Sequence, residues 1–151
     1  MLYGTVLGIH AAAMGTALTL LVASELLLLL GRRGTRKPVA VAFLSSRIAG
    51  PLVMIGIVAG IALVFIGGWS LLTPWLVISL ILIAMLVVVE AKFVREWQAR
   101  AQAALRDAAT GPGVEAVVGE TRALYGRLAM LTIFALVAVL MTMKADVIPF
   151  A

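Results

Sequence analysis

The sequence predicts an all-α protein: a bundle of four transmembrane helices running up, down, up and down, with the third helix extended beyond the membrane into the cytoplasm. Three observations carry this. Ile48 to Val89 is 42 residues without a charged side chain, about twice the ~20 needed to cross a bilayer once. Two further apolar runs flank it, one before the basic segment at Arg32–Lys37 and one after Arg127. Finally, 64% of residues are hydrophobic and only 13% charged, with mean hydropathy +1.17, whereas soluble domains carry about 25% charged residues.

The spans follow in order, within a single membrane domain covering residues 1–151. The first covers about residues 3–30. Met1 to Ser24 has no basic segment ahead of its apolar run, and the run continues to Leu30, past the length of a signal-peptide core; it is expected to remain as a helix. The second covers 38–67 and the third 74–97. The crease between them is Gly67-Gly68-Trp69-Ser70-Leu71-Leu72-Thr73-Pro74, where glycines and a proline form a turn and Trp69 and Trp75 supply interfacial anchors. The fourth covers 123–144. Its uncharged part, Leu128 to Met143, is 16 residues and needs snorkelling residues at its ends to span.

Helix three continues as a cytoplasmic extension over 92–109. Phe93, Trp97, Ala101 and Leu105 recur every four residues with charges on the other faces, which describes an amphipathic helix at the lipid surface. Thr110-Gly111-Pro112-Gly113 ends it, and Val114 to Arg122 leads back to span four.

Basic residues set the orientation. Arg32, Arg33, Arg36, Lys37, Arg47, Lys92, Arg95, Arg100, Arg106, Arg122 and Arg127 fall at one end, and Lys144 alone at the other, so 11 of 12 bases mark one side. The expected location is the cell inner membrane, multi-pass, with both termini non-cytoplasmic. The net charge of +5 then points to anionic lipid at the cytoplasmic face, with no role for nucleic acid. Without cysteine, disulfides and thiolate metal sites are excluded.

Small residues mark close helix contacts in lipid. Gly4 and Gly8 form one pair at GxxxG spacing, Gly56 and Gly60 another, so spans one and two are expected to cross closely. Gly50-Pro51 is expected to loosen span two.

Ionisable residues within spans are the functional leads, because each is costly in lipid unless paired or hydrated. Glu25 lies nine residues before Gly34 and Arg47 thirteen after, a similar depth on neighbouring helices, which predicts a Glu25–Arg47 ion pair. Glu90, near Lys92 and Arg127, is expected to be interfacial. His10 is the single histidine, in the outer half of span one. Met14 lies one turn deeper on the same face, Met54 is on span two, and Met141 and Met143 approach the outer end of span four. Imidazole with thioethers suits copper, through His10, Met14, Met141 and Met143; His10 with Met54 or Met141 suits haem b. A packing role for the methionines is the competing account. There is no Ser/His/Asp set, phosphate loop, HExxH motif or carboxylate pair at useful spacing, so hydrolytic chemistry is not expected.

The chain resembles the small four-helix membrane proteins grouped around the copper-resistance protein CopD and the HemJ-type protoporphyrinogen oxidase. The resemblance rests on Ile9-His10-Ala11-Ala12-Ala13-Met14-Gly15, the basic first loop, Gly50-Pro51 through Gly60, and Leu140-Met141-Thr142-Met143-Lys144. It implies a haem-ligating histidine at His10. Two other readings stand beside it: a non-catalytic accessory or oligomer-forming subunit docking further copies or other membrane subunits, and a small permease or transport helper working near Glu25 and Arg47.

Overall fold

The computed structural model of the chain describes residues 1–32, 36–106 and 113–143. Arg33, Gly34, Thr110 to Pro112, Lys144 and residues 107–109 of the expected extension lie outside them.

Among the described residues, four helical segments are long and apolar enough to cross a membrane. Helix α1 is Leu2–Gly31 and α2 is Arg36–Ile66. Helix α3, Pro74–Val89, passes through a π-helical turn, Glu90–Val94, into α4, Arg95–Arg106. A short helix α5, Val114–Val118, precedes α6, Thr121–Met143. Each of the expected spans has its helix, and the 33-residue run Pro74–Arg106 carries the third beyond its apolar part, as the amphipathic pattern predicted. Helix α2 continues through Pro51.

At the crease, Gly68 takes φ +66°, a left-handed backbone open to glycine at no steric cost. Pro74 sits at the first helical position of α3, where its fixed φ suits the helix and its missing N–H costs nothing. Trp69 and Trp75 meet edge to face, with ring centroids 5.7 Å apart.

Helices α1 and α2 form one antiparallel pair, and α3 with α6 the other. In lipid, apolar burial gains nothing from water release, and the spans are accordingly thinly packed: no more than 28% of any apolar window is buried. Close packing concentrates at the basic end. Leu28, Val39, Ala42, Val94, Trp97, Ala101, Ala104, Val117 and Ala123 form one core there, beyond the charge-free run that ends at Val89, where exclusion of water does stabilise apolar contact.

This core corrects the reading of the extension. Its buried residues are Val94, Trp97, Ala101 and Ala104, while Phe93 is exposed. Steps of 3, 4 and 3 hold one face of a helix, whereas steps of four drift around it. So α4 packs against α5 and α2 instead of lying free at the lipid surface.

The π turn is seated on α6 at Gly126. A Cβ built there falls 2.6 Å from the Phe93 Cβ, an atom fixed to the backbone that cannot swing aside. Gly126→Ala is therefore expected to destabilise by roughly 1–3 kcal/mol through overpacking. Gly50→Ala, with nothing within 4 Å, serves as the control; equal unfolding midpoints for the two variants in mixed micelles would refute the seating.

Candidate functional site

Two polar centres are built on these helices, one in each half of the bundle. The first is the contact of His10 with α2. His10 Nδ1 lies 2.8 Å from the carbonyl oxygen of Gly56. A carbonyl can only accept, so Nδ1 carries the proton and, in the neutral ring, Nε2 keeps its lone pair. The glycine spacing of α2 makes this approach possible: a Cβ on Gly60 would stand 3.1 Å from His10 Cε1 and 3.2 Å from Nδ1, and one on Gly56 would overlap Met14 Sδ. Spans one and two thus cross closely as expected, but His10 and Met14 fill the α2 glycines, while Gly4, Gly8 and Gly15 of α1 meet nothing within 4 Å.

Met54 does not join His10. It is two residues from Gly56, about 200° around the helix, and is 61% exposed. It lines a shallow apolar groove of about 380 Å³ with Ile9, Ile55, Val58, Ala59 and Ala62. Met141 is partly exposed and Met143 exposed near the end of α6. The structure therefore brings together His10 and Met14 from the expected set. Among the described residues no cluster of three His, Asp or Glu side chains forms.

The second centre lies deeper toward the basic end, and its partner differs from the expectation. Glu25 pairs with Arg127 of α6, not with Arg47: Arg127 Nε donates to both carboxylate oxygens at 2.8 and 3.1 Å. The two side chains are 12% and 6% exposed. The depth argument held, because Ser24 and Ser46 share a hydrogen bond of 2.9 Å between the same two helices. Facing decided the outcome. Ser46 points at α1, and Arg47, about 100° further round, is exposed beside Gln102 and Arg106 of α4.

Trp97 completes this centre. Its ring lies 4.0 Å from the Arg127 guanidinium carbon, and its Nε1–H donates to the Val117 carbonyl at 2.7 Å, which ties α4 to α5. Arg127 Nη1 is buried and finds no acceptor among the described residues. The π turn Glu90–Val94 ends three residues before this tryptophan, and such turns concentrate at functional positions. Glu90 itself is exposed. Sequence reasoning missed Arg127 and Trp97 as a unit. The available signal was an intramembrane acid with an arginine at the start of the fourth apolar run, which matches Glu25 in depth as well as Arg47 does.

A family description of predicted integral membrane proteins, DUF2269, matches residues 2–145. The chain belongs to that family. Membership of DUF2269 agrees with the four spans and with a lipid bilayer as the protein's setting. No curated protein matches the chain, and no solved structure does.

Proposed function

We propose that this DUF2269 protein holds a metal centre in the inner membrane through His10, either haem b iron or Cu(I), in keeping with its resemblance to the CopD and HemJ group. The observation that carries the reading is the Nδ1–H bond to Gly56 O. Histidines that ligate metals characteristically donate their other ring nitrogen to a carbonyl or carboxylate, which fixes the tautomer and orients the ligating nitrogen. Here that nitrogen is Nε2.

The residues fit the two groups differently. For haem, His10 would hold the iron, and Met54 is turned away from it on α2. For Cu(I), Met14 stands on the same face one turn along, and imidazole with thioether is a suitable soft set. Bound iron or copper would supply redox chemistry, while the chain's own part is to fix the imidazole through Gly56 O against the Gly60 backbone.

The test is the absorption spectrum and metal content of protein purified after haem or copper supplementation. The expected result is a Soret band, or about one copper per chain, lost in His10→Ala; for copper, Met14→Ala weakens binding as well. Absence of both from the wild type overturns the reading. The accessory or oligomer-forming reading then takes its place, favoured by the open α1 face at Gly4, Gly8 and Gly15, and cross-linking between copies in vesicles tests it. The permease reading loses its proposed pair, since Glu25 is closed against Arg127.

A further inference from the structure

With Glu25 taken by Arg127, Arg47 is left as a cation at the very edge of the charge-free run, without an acid to neutralise it among the described residues. It is not isolated. Arg47, Gln102 and Arg106 rim a groove of about 240 Å³ between α2 and α4, floored by Phe43, Leu44 and Leu105. The floor is held in place from behind, because the Phe43 ring packs on Trp97 at 5.8 Å between centroids. Arg106 likewise has no carboxylate within ion-pair distance among the described residues.

We propose that this groove is a binding site for one anionic glycerophospholipid, its phosphate held by Arg47 and Arg106 and its upper acyl chain lying on Phe43, Leu44 and Leu105. Three physical points carry the assignment. Guanidinium groups present planar forks that match phosphate oxygens and bond them in pairs. Two such forks without carboxylates form a local positive field, and basic pockets between membrane helices at this depth suit acidic headgroups. The floor is apolar where a soluble anion would gain nothing from it, whereas an acyl chain continues the lipid surface without exposing Phe43 or Leu44 to water. The site is independent of His10 and its ligand.

The experiment titrates the full-length protein in detergent with phosphatidylglycerol and with phosphatidylcholine, reading bound lipid by native mass spectrometry. Wild type is expected to prefer phosphatidylglycerol. Each basic group near a membrane surface contributes about five-fold in affinity, so Arg47→Gln with Arg106→Gln should weaken phosphatidylglycerol binding about 25-fold. Arg36→Gln with Lys37→Gln removes the same charge from the exposed start of α2 and should leave it within about two-fold. Equal loss in this control, or no preference in the wild type, overturns the proposal in favour of diffuse surface charge. Displacement by millimolar inorganic phosphate overturns it in favour of a soluble anion. Should the double glutamine variant fail to fold, a photoactivatable phosphatidylglycerol on wild type decides: labelling at residues 40–47 and 102–106 supports the groove, and labelling elsewhere overturns it.

Discussion

Arg127→Ala is expected to destabilise the bundle by roughly 3–5 kcal/mol, the range for removing one member of a buried ion pair. The loss would come less from the attraction surrendered than from the carboxylate left behind. Glu25 is 12% exposed and takes both of its cationic hydrogen bonds from Arg127 Nε, and the nearest alternative in depth, Arg47, faces a different helix. Glu25→Ala strands the guanidinium instead, whose Nη1 is already without an acceptor among the described residues. The two deletions should therefore cost similar amounts and should not add. Glu25→Leu combined with Arg127→Met replaces the pair by apolar groups of similar bulk, and such replacements are often neutral or stabilising. Steric trapping or unfolding in mixed micelles measures all three variants. A cost below about 1 kcal/mol for Arg127→Ala would mean that water reaches the pair, since that is the scale of exposed ion pairs.

That pair also shows where sequence reading stops. Depth in the membrane is a one-dimensional quantity: it follows from counting residues at ~1.5 Å each from a hydrophobic boundary. The expected span 3–30 is Leu2–Gly31, 38–67 is Arg36–Ile66, and 123–144 meets a helix over Thr121–Met143. Glu25, Arg47 and Arg127 are all close to one level, and any of the arginines satisfied a depth criterion. Which of them faces the acid depends on rotation about three helix axes, and rotation is set by packing between segments up to 102 residues apart. The same limit explains the glycines. Two GxxxG pairs were legible, yet nothing local distinguished Gly56 and Gly60, which receive His10 and Met14, from Gly4 and Gly8, which receive nothing within 4 Å.

The π turn is a second kind of illegibility. It inserts one residue into the helical repeat between Val89 and Arg95, so that the period read on either side of it cannot be carried across. The expected face was Phe93, Trp97, Ala101 and Leu105, and the buried seam is Val94, Trp97, Ala101 and Ala104. Only the Phe93 position falls inside the turn, and past it the difference is a step of four at Leu105 where the helix keeps its face with three. Helix α5, five residues long, has too little sequence to show a period at all, and its valines are held by the core they complete.

Trp97→Ala is the second large effect, and it tests whether the basic end is a packed core or only a set of converging helices. Trp97 is 2% exposed, the largest of the fully buried side chains. Its removal should cost roughly 3–5 kcal/mol, as large aromatic truncations in cores do. Trp97→Phe separates the contributions. It retains a ring against Phe43 and Arg127 but leaves the Val117 carbonyl with only the Glu120 N–H at 3.3 Å, a loss of one hydrogen bond worth about 0.5–1.5 kcal/mol, and α5 should become the first segment to exchange its amide protons. A double-mutant cycle with Arg127→Met isolates the ring-to-guanidinium contact at 4.0 Å. At a desolvated site it should show about 1–2 kcal/mol of coupling. Coupling near zero would mean that Trp97 supports α5 alone and that the buried pair is positioned by α1 and α6 without it. Substantial coupling would make Glu25, Arg127 and Trp97 one unit that joins α1 of the first helix pair to α4 and to α6 of the second. Because the two pairs meet chiefly at this end, the orientation of His10 against α2 is insulated from the loss, and Trp97→Ala should leave any His10-dependent spectrum unchanged.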